Sequence, residues 1–489
     1  MARYSTRITL QGRFSPCDLR SIEAELSEPA FRGIPVGPAL SSLVEIDLYG
    51  GRGDWSLAAR VKDLGRQLKY YFRPLCGRQA MPLLAKRRTL VTWLGENFRL
   101  SELILPVIRE LDPDRCTVFC SQPAMMLRVP AGAEAVTPRM MPLDRTGWLT
   151  EYRKCRPHWN QRLQRLCRKY RLPRGAGNRL ALHMMYATQN ISGCLALLPL
   201  LEPLAVVTEF DRDPLSACLI LAARSLGIPT YTLVHGVLNE EARGAVPLLA
   251  GKVFCWGEMQ RTQFMAAGED PAKIVIAGCP RLTRELSVTP AKAREKLALD
   301  RDNPVVMLGT NPCSWRDCLN MAELFCTAMA GMRGVSALVR LHPSERLEMY
   351  RPVARHHPGV RFLNNSDATL DETLAAADVV VVPNSGFGSD ALVKRRPVVV
   401  LDLPTVPLGH GADLINRAGC PRATTADELA AAVRGLLPDG PQRQQHLARA
   451  DRYVAEFCAL FGQESAQCIA EHVRQTVSAN RANWERQRI

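Results

Sequence analysis

Val339-Arg340-Leu341-His342-Pro343 is the stretch whose reading decides the fold. It closes an apolar run over residues 335–341, long enough for one buried strand, and it breaks off at a histidine and a proline. The pattern repeats on both sides of it. Residues 305–308, 379–382 and 398–401 are short apolar runs rich in valine, and each reads as a strand, as does 360–363 despite its arginine. Residues 315–332, 344–356, 369–376 and 389–394 lie between them and read as helices, the second opened by Pro343 at its first position. Strands apolar throughout, alternating with helices, imply a parallel sheet covered on both faces.

Upstream a second series has the same grammar. Residues 89–94, 116–121, 204–210, 230–234 and 252–256 read as strands, and 100–111 and 214–226 as helices. Two such series in tandem predict an α/β chain of two doubly wound, Rossmann-like domains facing across a cleft. Pro280, Pro290 and Pro304 punctuate a charged segment between the series and place the boundary there. The expected organisation is an N-terminal extension over residues 1–85 that fits neither series, a first Rossmann-like domain over 86–285, a second over 286–440, and C-terminal helices over 441–489.

Bulk composition narrows the partners. A chain of 489 residues exceeds one ordinary core, and 47% hydrophobic with 23% charged residues is globular. The net charge of +15 favours an anionic partner. Residues 153–179 concentrate that charge: ten Lys or Arg, no Asp or Glu, with Trp159 and Tyr170 interleaved. This is either the solvated face of an amphipathic helix or a track for an anionic glycan or acidic lipid headgroups. No nucleic-acid motif accompanies it, so nucleic acid is not expected. The sixteen cysteines include no CxxC pair; Cys116/Cys120 and Cys313/Cys318 are the closest spacings, and buried reduced thiols are expected rather than zinc ligands. Residues 1–10 carry no apolar signal core, and the most apolar stretch, 194–207, is interrupted by Pro199, Glu202 and Pro203. The expectation is a cytoplasmic chain that does not span a bilayer, peripheral to the inner membrane at most.

In open parallel sheets ligands bind beyond the carboxyl ends of the strands. His342 and the turn Pro383-Asn384-Ser385-Gly386-Phe387-Gly388-Ser389 both follow such ends. An imidazole can donate to a phosphate oxygen and assist its departure as general acid or electrostatic stabiliser. Gly386 and Gly388 let the backbone approach an anion, and Ser385 and Ser389 add hydroxyls, Ser389 also serving as cap of the next helix. Arg340, Pro343 and Asn384 flank these groups and are expected to bind the donor with them. Asp390 either meets a ribose hydroxyl or complements the helix dipole.

The order Val234-His235-Gly236, Val253-Phe254-Cys255-Trp256-Gly257, Gly278-Cys279-Pro280-Arg281, Arg340-Leu341-His342-Pro343 and Ser385-Gly386-Phe387-Gly388-Ser389-Asp390 resembles bacterial glycosyltransferases of the two-Rossmann GT-B type that build capsular and lipopolysaccharide surface polysaccharides. It is most similar to the CMP-sugar sialyl-, polysialyl- and Kdo-transferases and to the CDP-glycerol glycerophosphotransferases, over residues 204–402. The resemblance implies that His342-Pro343, Ser385 and Ser389 bind the donor phosphate. It implies an inverting transfer from a CMP-sugar, with CDP-glycerol second and a UDP-sugar third, to a surface-polysaccharide or glycolipid acceptor. The family's base is a carboxylate in an acidic-acidic-Gly motif of the first domain, of which this chain has no clean copy. Glu96, Glu209, Asp211 and His235 remain as alternatives, each next to a strand end. Asp211-Arg212-Asp213 is formally a DxD, but Asp213 before Pro214 reads as a helix cap, and no obligatory metal or cofactor is expected. The rivals are a UDP-sugar epimerase and a non-catalytic nucleotide-binding subunit of a polysaccharide export complex.

Overall fold

The computed structural model describes residues 16–40, 84–93, 98–142, 144–170, 176–238, 242, 245–383, 385–406 and 408–486. The chain forms two compact units, one from residues 9–281 with 462–489 and one built on residues 282–461.

The first unit is organised by a seven-stranded sheet of β1 (Thr89–Trp93), β2 (Cys116–Cys120), β3 (Glu134–Val136), β4 (Ala205–Thr208), β5 (Thr230–Leu233), β6 (Lys252–Cys255) and β7 (Ile274–Ile276). Their order is β3-β2-β1-β4-β5-β6-β7, with every pairing parallel. Strand order therefore reverses between β1 and β4. The helix Pro214–Ser225 follows β4 and starts where the sequence indicates: the Asp213 carboxylate accepts from the amides of Leu215 (2.9 Å) and Ser216 (3.4 Å), and Pro214 fills the first turn.

The apolar stretch around Cys194 belongs to a helix, Ala176–Leu201, whose portion from Gly177 on is long and apolar enough to cross a membrane by length and composition. That helix begins well before the stretch over 194–207 and ends within it. Met184, Ile191, Cys194 and Leu197 bury that helix in the core of the first unit. The expected N-terminal extension is described only over residues 16–40 and 84–85. Its helix Pro16–Leu26 and the turn after it join the same core through Ile22, Leu26, Phe31 and Val36, and Arg212 donates to Glu23 at 2.9 Å with both residues buried.

The second unit holds β8 (Val305–Gly309), β9 (Ser336–Arg340), β10 (Val360–Leu363), β11 (Val379–Val382), β12 (Val398–Leu401) and β13 (Arg422–Ala423), in the order β10-β9-β8-β11-β12-β13, again all parallel. Val379, Val380, Val381 and Val382 are all at zero exposure because helices cover both faces of the sheet. Each buried valine stabilises the fold by about 1.5–3 kcal/mol relative to exposure. Reversal falls between β8 and β11.

The C-terminal tail divides. The helix Arg443–Phe457 stays with the second unit, whereas Gly462–Arg486 belongs to the first, where Tyr231 bonds Thr476 and Phe254 meets the His472 ring edge-on.

Candidate functional site

β9 ends at Arg340, and the chain turns at His342-Pro343-Ser344-Glu345, with the Glu345 amide donating to the His342 carbonyl (2.8 Å). Pro343 does not open a helix here. The next one begins at Leu347, because Glu345 holds the intervening residues in a turn. Its carboxylate is buried, and Oε2 accepts from the His342 amide (3.1 Å) and from the Thr310 hydroxyl, while Oε1 accepts from the Tyr350 hydroxyl (3.1 Å) and the Cys318 thiol (3.4 Å). Thr310 closes the loop between strands: its Oγ1 also accepts from the His342 amide at 2.9 Å. The ends of β8 and β9 are thus stitched together beneath His342.

The His342 ring is half-buried. Its Nδ1 accepts from the Ser344 amide at 3.2 Å and lies 2.8 Å from the Ser344 hydroxyl. A nitrogen that accepts from a backbone N–H carries no proton itself, so the neutral ring holds its proton on Nε2. The turn thereby makes Nε2 a hydrogen-bond donor.

The Ser/Gly turn lies beyond β11, not beside β9. β8 separates the two strands, so their ends stand roughly 10 Å apart across the sheet at the usual strand spacing. The β8 loop, at the point of strand reversal, thus lies between the two turns. Ser385 and Gly386 are half-buried; the Ser385 hydroxyl accepts from the Phe387 amide (3.2 Å). From Phe387 to Val393 the helix is wholly buried. A Cβ on Gly388 would stand 2.5 Å from Leu414 Cδ1, so this glycine serves close packing, not an approaching anion. Ser389 is not the helix cap: Gly386 holds that place. The Ser389 hydroxyl is fully buried, bonded to His410 Nε2 (2.7 Å) and the Tyr453 hydroxyl (2.8 Å), and so is directed into the core. Asp390 is buried too, which removes the ribose contact. Asn384 lies outside the described residues.

Arg340 is likewise a structural cation. Its guanidinium donates to the Ala368 (2.9 Å) and Thr369 (3.4 Å) carbonyls and to Asn365 Oδ1 (2.7 Å), and burial holds its pKa down to about 10. It positions the loop after β10 rather than a ligand. Pro343 is exposed at the turn.

At the carboxyl edge of the first unit, Glu209 is fully buried. Asp211 is buried as well, its Oδ2 accepting from the amides of Leu249 (2.8 Å) and Ala250 (3.3 Å), and burial pushes its pKa up. Asp211 and Asp213 hold backbone amides, and both Glu209 and Asp211 are closed off from solvent. Glu96 lies outside the described residues. His235 remains: it follows β5, is half-buried, and packs against Phe210 with centroids 4.2 Å apart and the rings tilted by 59°. Its turn is held from behind, since Trp256 Nε1 donates to the Val234 carbonyl (2.8 Å) and Gln260 Nε2 to that of Gly236 (3.0 Å). Among the described residues no group of three His, Cys, Asp or Glu is arranged to hold a metal ion.

Thr310 and Glu345 escaped the sequence reading. A Thr directly after a strand and a Glu three residues after a histidine were the available signals, but their pairing spans 35 residues of chain.

No protein-family model matches the sequence, and no curated protein is significantly similar to it. Solved structures are similar in fold. A glycosyltransferase from Rickettsia africae covers 81% of this chain and 99% of its own at 11% identity, with a TM-score of 0.50. A UDP-N-acetylglucosamine 2-epimerase covers 80% of this chain and 96% of its own at 12% identity and a TM-score of 0.52. The Staphylococcus aureus MnaA structure with UDP covers 80% and 97% at 12% identity, also at 0.52. The fold this chain shares with them is the GT-B fold of two Rossmann-like domains.

Proposed function

We propose that this chain is a glycosyltransferase that takes a sugar from a nucleotide-activated donor. The donor phosphate sits at the carboxyl edge of the second domain, between the His342 turn and Ser385-Gly386. The observation that carries this reading is the Ser344 amide on His342 Nδ1, which leaves Nε2–H as a donor for the departing phosphate oxygen. His235 is the first-domain residue best suited to take the acceptor hydroxyl proton, which gives direct, inverting displacement. The sequence resemblance favours a CMP-sugar. The neighbours that act on or hold UDP compounds favour a UDP-sugar, and we rank UDP first on that ground. A surface polysaccharide or glycolipid is the acceptor class, and the cytoplasmic face of a membrane the working place.

Calorimetric titration of UDP, CDP and CMP side by side tests the donor. Tightest binding of UDP supports our ranking, tightest binding of CMP restores the CMP-sugar, and no binding of any at millimolar concentration ends the reading. His342→Ala is expected to lower turnover about 10²-fold, the usual effect of removing one donor to developing charge. Release of a free epimerised sugar nucleotide with no linked glycan product would make the chain an epimerase, the second reading its fold neighbours support.

A further inference from the structure

We propose that Cys313 and Cys318 form a redox-sensitive staple under the His342 turn, an open dithiol that closes to a disulfide and loosens that turn. The cap of the helix Trp315–Ala330 brings the pair together. Ser314 is its N-cap, with Oγ accepting from the Asp317 amide at 3.2 Å. Cys313 is then the residue before the cap and Cys318 the fourth helical residue, the two positions whose side chains meet in a hydrophobic staple. In most proteins aliphatic groups fill them. Here the two sulfurs lie 3.3 Å apart. A disulfide measures about 2.05 Å, so closure needs an approach of roughly 1.3 Å. Cys313 stands outside the helix and can supply it by turning its side chain.

The two thiols divide the chemistry. Cys313 keeps 8% of its surface exposed, enough for a small oxidant, whereas Cys318 keeps 1% and directs its S–H to Glu345 Oε1 at 3.4 Å. The hydrogen bond between the two sulfurs, with burial, pushes the Cys313 thiol well up, and the same bond draws the Cys318 thiol below its ordinary pKa, which slows the first step at Cys313 and suits Cys318 to the second. Hydrogen peroxide is the oxidant class. Its O–O bond breaks as the Cys313 sulfur takes one oxygen, giving a sulfenic acid and one water. The Cys318 sulfur then attacks the Cys313 sulfur, the S–O bond breaks, and the leaving hydroxide takes the Cys318 proton, relayed by Glu345, to become a second water. Two thiols lose two electrons, and peroxide gains them.

Closure reaches the site through Glu345. Of its four donors the Cys318 S–H disappears, while the loop carrying Thr310 is drawn toward the helix. The His342 amide hangs on those same two residues, Glu345 and Thr310. That donor binding weakens as a result rests on the function proposed above; the disulfide and the loosened turn do not.

The test uses the reduced full-length chain titrated with hydrogen peroxide. Non-reducing peptide mapping should find the Cys313–Cys318 segment 2 Da lighter, because two hydrogens are lost. This should occur at doses no higher than those that oxidise Cys167 or Cys468, the half-buried thiols among the described cysteines. Amide hydrogen exchange over residues 342–345 should rise about tenfold in the oxidised form, as when one hydrogen bond to a charged group is lost, and a thiol reductant should reverse it. Cys318→Ser keeps a donor to Glu345; Cys313 should then take up oxygen without forming a disulfide, and the exchange of residues 342–345 should not respond to peroxide. A segment still reduced after Cys167 and Cys468 are oxidised overturns the proposal. So does a disulfide that leaves the exchange of residues 342–345 unchanged. Failure of UDP or CMP to bind the reduced chain bears on the proposed function alone.

Discussion

Control of one proton on His342 depends on atoms the ring does not own: the Ser344 amide fixes the tautomer, and Thr310 with Glu345 fixes the amide of His342 itself. A neighbouring glycine shows the same dependence. A Cβ on Gly309 would lie 2.3 Å from the Phe387 ring, so the β8 end and the helix after the Ser/Gly turn approach only because that position lacks a side chain. Gly309→Ala should destabilise the protein by about 1–3 kcal/mol, the range for overpacking a filled core, and weaken nucleotide binding along with it. A denaturant midpoint unchanged from wild type would show that Phe387 yields freely. At this scale the sequence exposed the histidine and the Ser/Gly turn but misjudged what surrounds them. Arg340 looked like an anion-binding cation, yet the loop over residues 365–369 folds across it and supplies three acceptors. Ser389 looked like a phosphate ligand, yet His410 and Tyr453, brought from elsewhere in the chain, claim its hydroxyl. Burial by distant segments is not written in the residues next to a site.

Elements were more legible. Val379–Val382 and Val398–Leu401 form where the apolar runs stand, because strands covered on both faces need unbroken apolar sequence; Val360–Leu363, at the sheet edge, tolerates the exposed Arg361. Helix starts were less so: Pro343 was expected in a first helical turn, and the Glu345 carboxylate overrides that preference. Short edge strands such as β3 and β13 escaped because two or three residues carry no period. The contact between the helix Arg443–Phe457 and β12 has a measurable consequence. His446 is buried on that helix, its Nε2 accepts from the Val398 amide at 3.2 Å, and burial holds its pKa down to about 4. The folded state binds this proton less readily than the unfolded chain. The stabilisation is therefore complete above the unfolded value of about 6.5 and is lost as pH falls from there to about 4. Thermal unfolding midpoints measured from pH 7 to pH 4 should fall in wild type by more than in His446→Gln, which keeps an acceptor but cannot charge. Parallel curves for the two proteins would exclude His446 as the cause.

Across the whole molecule a net charge of +15 acts through where it is placed. The helix Arg145–Lys169 turns Trp148, Cys155, Trp159, Leu163 and Leu166 into the core of the first unit and leaves Arg153, Lys154, Arg156, Arg165, Arg168 and Lys169 exposed. The amphipathic-helix reading of this region and the anionic-partner reading are therefore compatible: one face packs, the other carries the charge. Since the apolar side is already buried, an anionic partner would be held on this face by charge and not by insertion, over about 10 Å at 0.1 M salt. Each basic residue near an anionic lipid surface contributes about 1 kcal/mol. The triple variant Arg153→Glu, Arg165→Glu, Arg168→Glu should then weaken co-sedimentation with phosphatidylserine-containing vesicles by roughly 100-fold or more, since three favourable terms of that size are lost before any repulsion counts. Wild-type binding should itself fade as salt rises. Stability should stay within about 0.5 kcal/mol per substitution, because the apolar stripe is untouched. Vesicle binding that survives both the variant and high salt would show that this face is not the membrane contact. An anionic polysaccharide that binds where vesicles do not would assign the same charges to the acceptor.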